Sequence, residues 1–226
     1  MTKFFIHIPK NGGMTIRHSD VLKKRIMIAK KDKLKNLSYA KAVKNKMRST
    51  GDHHGFEHAR YRDVNPAFLN NGAFAIIRNP WSKVVSRYMF AKQAIDQGKT
   101  PATYADVSSL EAFIEERHKW AGMEFMWHRA IRGWYPQMDH VIDTTGKVRC
   151  DIMRLEHLEE DIKNYFQIST MTGPRNVTHT KVDYKDLYNA RTIQIIGDWY
   201  KVDIDYWNFD FDTPARKNIW AGKVIT

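Results

Sequence analysis

Hydrophobic and polar positions divide the chain into short apolar runs, each closed by a turn and followed by helical spacing. Phe4-Phe5-Ile6 with Ile8 is the first run, and it stops at Pro9-Lys10-Asn11-Gly12-Gly13, with a helix expected from near Met14. Ala73-Phe74-Ala75-Ile76-Ile77 is the second, between Asn70-Asn71-Gly72 and Arg78-Asn79-Pro80, with a helix expected over Trp81–Ala94. The second run is continuous rather than alternating, as in a parallel strand buried on both faces. Val141–Asp143 and Val148–Met153 flank Thr144-Thr145-Gly146-Lys147 and predict two short strands about a turn. Helices are expected over Ile16–Lys31, from Ser108 or Ser109 to His118, and over Met123–Trp134, Leu155–Phe166 and Tyr184–Tyr206. Arg60–Phe68 reads as a short helix or turn closed by Pro66, and Gly173–Asp183 as a polar loop. Strands alternating with helices predict an α/β fold, a central parallel sheet flanked by helices.

Length and charge refine this picture. At 226 residues a single core suffices, so residues 1–226 read as one domain. The net charge of +12 points to an anionic ligand, partner or surface. Much of it is local: Lys23 to Arg48 holds eleven Lys or Arg against one acid, Asp32. Overlapping it, residues 30–52 read as a basic insertion, mobile or ordered by a partner. One cysteine, Cys150, excludes an internal disulfide and a multi-cysteine metal site. No apolar run approaches the ~20 residues of a membrane helix, and no signal peptide is recognisable, so a cytoplasmic protein is expected.

The chemistry concentrates where the apolar runs end. A strand, a glycine-bearing turn and a helix N-terminus gather unpaired amides, and Lys10 adds a mobile cation. In the second unit Arg78 supplies a planar fork, and Ser82 and Ser86, one helical turn apart, can face the same pocket. Two such units about seventy residues apart suggest a ligand with two anionic groups. The bland alternatives are an ordinary turn with a surface lysine, and a buried structural arginine. Trp120, Trp127, Trp134 and Tyr135 read as core packing.

On these residues the chain resembles the sulfotransferase superfamily, which moves a sulfuryl group from 3′-phosphoadenosine 5′-phosphosulfate (PAPS) to a hydroxyl. The family's 5′-phosphosulfate loop is similar to His7-Ile8-Pro9-Lys10-Asn11-Gly12-Gly13-Met14-Thr15. Its 3′-phosphate motif resembles Arg78-Asn79-Pro80 with Ser86-Arg87-Tyr88. Pro136-Gln137 with Asp143–Gly146, Ile152–Asp161, and Asn176-Val177-Thr178 with Tyr184 and Tyr188 resemble later landmarks in the family's order. The likeness implies a P-loop-like fold, with Lys10, Asn11, Gly12, Gly13, Met14 and Thr15 around the 5′-phosphate and Arg78 and Ser86 on the 3′-phosphate. Lys10 would also act in catalysis, on the bridging and leaving oxygens, and no metal is implied. Asn11 stands where the family usually has Thr, and Met14 where it has Ser or Thr, leaving Thr15 and the amides as donors. The implied base is a histidine between the two motifs. His58 heads a stretch like that of bacterial relatives, whereas His54-Gly55 resembles heparan 2-O-sulfotransferases; His58 is favoured, with His53 also nearby. A carbohydrate hydroxyl is the expected acceptor, an anionic glycan among the candidates. The competing readings are a P-loop-type phosphotransferase, which lacks its usual Gly-rich lysine motif here, and a non-enzymatic nucleotide- or nucleic-acid-binding protein, which has no zinc-finger or RNP-type pattern to support it.

Overall fold

Four parallel strands order the molecule: β1 (Lys3–Ile6), β2 (Ile26–Ile28), β3 (Ala73–Ile77) and β4 (Cys150–Arg154), arranged β2-β1-β3-β4. The computed structural model describes residues 1–50, 55–121, 130–170 and 183–213. Phe4 is opposite Ala73 and Met27, and Ala75 is opposite both Ile6 and Ile152. Side chains alternate across each strand, so the apolar runs serve two cores. Phe4, Ile6, Ala73, Ala75, Ile77 and Ile152 line one face, Phe5, Phe74, Ile76 and Met153 the other. This is why β3 is buried at all five positions.

Helices cover both faces. The short α1 (Gly13–Arg17) lies on the Phe5 face with Leu22, and α2 (Leu37–Thr50) on the Phe4 face. The Phe4 face also receives α3 (Pro80–Asp96) and α4 (Leu110–Glu115), which leads into α5 (Arg117–Trp120). Next come α6 (Met138–Val141), α7 (Leu158–Phe166) against Phe74 and Ile76, and the pair α8 (Ala190–Trp199) and α9 (Lys201–Trp207) behind α3. No helix among the described residues is long and apolar enough to cross a membrane.

Several elements differ from the sequence expectation. The helix expected over Ile16–Lys31 stops at Arg17. Ile26-Met27-Ile28, three consecutive apolar residues with two β-branched, pair with β1 as an edge strand instead. The basic stretch read as irregular forms α2, because Ala40, Val43 and Met47 fall at i, i+3 and i+7 and are all buried. Asn36 caps it, its side-chain oxygen accepting from the Tyr39 amide at 2.9 Å. Pro66 opens a short 3-10 turn (Pro66–Phe68) rather than closing one. The hairpin about Thr144 shrinks to a single bridge, Ile142 to Val148, while β4 joins the main sheet. The helix expected over Tyr184–Tyr206 divides: Asn189 and Thr192 form a reciprocal cap that starts α8, and the chain restarts at Tyr200. Gly173–Asp183 lies outside the described residues except for Asp183, and Met123–Trp134 except for its last five positions, which are not helical.

Since α2 is held by its apolar stripe, Met47→Ala should cost about 2 kcal/mol or more, as core deletions do. Lys44→Ala, at a partly exposed position, should stay within about 0.5 kcal/mol. Urea unfolding of the two variants checks both.

Candidate anion-binding site

Strand order creates a crevice. β1 leads to its neighbour on one side and β3 leads toward β4 on the other, so the chain diverges between their carboxyl ends. In open α/β sheets that switch point is where ligands bind. Lys10 follows β1 and Arg78 follows β3, one on each side of the divergence.

The first loop is tightly built. Lys10 has φ 66° and Gly12 φ 75°, two left-handed residues that reverse the chain before α1. A Cβ on Gly12 would meet Leu155 Cδ1 at 2.7 Å, and one on Gly13 would meet His7 Nε2 at 1.8 Å. Gly12 is therefore required by turn geometry and Gly13 by close approach to the His7 ring. The amides of Gly12, Gly13 and Met14 have no partner among the described residues. The Thr15 amide bonds the Gly12 carbonyl at 3.0 Å, and the Thr15 side chain is buried. Of the residues expected to offer amides, three remain open and Thr15 does not.

Asn11 turns inward. It is buried, and its Nδ2 donates to the Ile76 carbonyl at 2.7 Å and to Gln137 Oε1 at 2.6 Å. Its side chain therefore ties the loop to β3 and to Gln137. Gln137 in turn accepts from the Arg78 amide at 2.9 Å and donates to the Arg78 carbonyl at 2.8 Å.

Arg78 reaches back across the crevice, Nε donating to Ser82 Oγ at 2.9 Å and Nη1 to the Lys10 carbonyl at 3.2 Å. Asn79 caps α3 by accepting from the Trp81 and Ser82 amides, and its own amide donates to Glu156 Oε1 at 2.8 Å. Ser86 is one turn beyond Ser82, on the same face of α3, and has no hydrogen-bond partner among the described residues. Phe90 is one turn further, and Lys10 Nζ sits 4.1 Å from its ring centroid. The Lys10 ammonium thus lies along the Ser86 side of α3.

Neither cation forms an ion pair among the described residues. Burial, with the Arg78 charge adding to it, lowers Lys10 to about 8. Burial lowers Arg78 to about 10, although Glu156 and, to a lesser extent, Tyr188 act to raise it. Two desolvated cations held close, with no ion pair to a carboxylate among the described residues, would be favoured by an incoming negative charge.

Beside the loop stands a group of imidazoles. His58 and His7 rings lie 4.3 Å apart, and His58 Nδ1 is 2.9 Å from the His7 carbonyl. A carbonyl only accepts, so Nδ1 carries the hydrogen in this contact. The 3.7 Å ion pair Arg17–Glu57 holds the His58 segment against α1. His7 and His140 are buried, and burial, together with neighbouring positive groups, keeps both well below the ordinary imidazole value. His53 and His54 lie outside the described residues, as do Trp127, Asn176, Val177 and Thr178. Among the described residues no three His, Cys, Asp or Glu are grouped to hold a metal.

The sequence reading missed the inward role of Asn11, the joining role of Gln137 and the His7–His140 environment. Only Pro136-Gln137, noted as a landmark, pointed toward one of them. No protein-family model matches the chain, and no curated protein and no solved structure is similar to it.

The buried imidazoles set the acid stability of the fold. Their folded values lie below the unfolded value near 6.5, so the unfolded chain binds more protons below that pH. The stabilisation is complete above about 6.5 and is lost as pH falls, by up to about 1.4 kcal/mol per pH unit for each histidine. Urea unfolding between pH 7.5 and 5 should show this decline, and His140→Gln should flatten it.

Proposed function

We propose that this chain is a sulfotransferase that uses PAPS and an acceptor hydroxyl, on a P-loop-like scaffold. The observation that carries the reading is the pair Lys10 and Arg78, two cations without an ion pair among the described residues, in the loops that follow adjacent parallel strands at the switch point. The donor set fits a nucleotide with two anionic groups. Lys10 and the open amides of Gly12, Gly13 and Met14 would hold the 5′ end, and Arg78 with Ser86 the 3′ end. When bound, PAPS supplies an activated sulfuryl group.

The chain's own residues then have distinct tasks. His58, its ring oriented by the Nδ1–H bond to the His7 carbonyl, would be the base that takes the proton from the acceptor hydroxyl. Lys10 opposes the negative charge that develops on the leaving phosphate oxygen. Ser82 and the Lys10 carbonyl aim the guanidinium of Arg78, so its fork is oriented before the ligand arrives. A carbohydrate acceptor fits the basic surface, with an anionic glycan among the candidates.

Titration calorimetry with adenosine 3′,5′-bisphosphate tests the reading directly. Binding should be lost or fall at least about a hundredfold in Lys10→Ala and in Arg78→Ala, each of which removes a charge-assisted contact to phosphate. A folded wild-type protein that does not bind this nucleotide sinks the proposal. Because Lys10 is charged only below about 8, affinity should decline as pH rises through that value. It should also fall below about 6, where phosphate monoesters take up a proton. Lys10→Arg, which keeps a cation at every pH in this range, should abolish the upper limb of this profile and leave the lower one.

A further inference from the structure

We propose that Gln137 is a positioning residue that fixes the distance between the two anion-binding loops, so that one bisphosphorylated nucleotide is held at both ends at once. The inference rests on the donor reading above and concerns how the protein achieves it. Gln137 is fully buried just before α6, and no atom of it belongs to the face that Lys10 and Arg78 present. Its Oε1 accepts from Asn11 Nδ2 at 2.6 Å and from the Arg78 amide at 2.9 Å, one bond to each loop. Its Nε2 donates to the Arg78 carbonyl at 2.8 Å, with Asp203 Oδ2 a further 3.4 Å contact.

A side-chain amide that takes both backbone groups of Arg78 acts as a strand neighbour would. It pairs the chain one residue beyond the Ile77 end of β3. The same oxygen receives Asn11, so it links the loop after β1 to the loop after β3, beside the direct bonds Asn11 to the Ile76 carbonyl and Arg78 to the Lys10 carbonyl. Gln137 itself cannot turn. Its main-chain amide and that of Met138 donate to the Asp203 carboxylate of α9 at 2.7 and 2.8 Å. Ser has too short a reach to bridge these groups, and Met has the length of Gln without its donors and acceptor.

Spacing matters because two anionic groups on one ligand bind cooperatively only when both subsites can be engaged together. Adding the second phosphate can then raise affinity by about 100-fold or more over either single-phosphate ligand. A loosened spacing loses that gain while each subsite, taken alone, still works.

The test uses calorimetry with three probes: adenosine 3′,5′-bisphosphate, adenosine 3′-monophosphate and adenosine 5′-monophosphate. The wild type should bind the bisphosphate about 100-fold more tightly than either monophosphate. Gln137→Met should weaken the bisphosphate about tenfold or more and each monophosphate less than about threefold. Asn11→Ser approaches the same tie from the other loop and should give the same pattern, which keeps the test available if Gln137→Met does not fold. The double variant should lose little more than either single one. Equal loss for all three probes, or an unchanged ratio in folded variants, overturns the positioning role and leaves the donor reading standing. A folded wild type that binds no bisphosphate overturns both.

Discussion

Everything at the switch point depends on joining two diverging loops whose main chains have left the sheet. β1 and β3 pair side by side through Phe4–Ile6 and Ala73–Ala75, but Lys10 and Arg78 lie beyond the end of that pairing. Backbone groups there must find partners or pay a desolvation penalty of about 1–3 kcal/mol each. Asn11 and Gln137 supply those partners from inside, and Asp203 braces Gln137 from the C-terminal helices. The helical pair α8–α9, packed behind α3, is thereby coupled to the loops at the front of the sheet.

With the backbone satisfied from within, the outward side is free to hold charge without neutralising it. Lys10 is strained in a left-handed conformation that costs a non-glycine residue about 1–2 kcal/mol. Its ammonium is partly desolvated, repelled by Arg78, and rests on the Phe90 ring rather than on a carboxylate. Glu156 is near enough to favour the charge on Arg78, yet its oxygen is engaged by the Asn79 amide. A protein tolerates such local costs where an incoming group relieves them, and strain of this kind concentrates at functional positions. His7 adds to the crowding, since its ring occupies the space a side chain on Gly13 would need.

The parallel sheet was legible in the apolar runs at Phe4–Ile8 and Ala73–Ile77, because a strand buried on both faces has few polar interruptions. The cations at their ends were legible for a similar reason: Pro, Gly and Asn mark where a strand gives way to a turn. What failed were elements decided by few residues. Three apolar positions among many lysines make α2, and three more make β2, and local charge or helical spacing outweighed both signals. Gln137 could be noted as a landmark, but its joining role was illegible, since it lies 126 residues from Asn11 and 59 from Arg78, and only folding brings them together. Tautomer and orientation at His58 depend on the His7 carbonyl, which no motif encodes.

Asn11 and Met14 shape this loop in different ways. A Thr at position 11 has a single hydroxyl hydrogen and could not donate to both Ile76 and Gln137, as the two amide hydrogens of Asn11 do. Asn11 therefore makes an inward tie that a hydroxyl could not, joining the loop both to β3 and to Gln137. At position 14 the side chain offers no donor, but the amide of Met14 remains open, as do those of Gly12 and Gly13. Main-chain donors keep their direction only as well as the loop keeps its shape. A loop that relies on amides instead of hydroxyls therefore depends more heavily on being fixed from behind, and Asn11 and Gln137 are the residues that fix it.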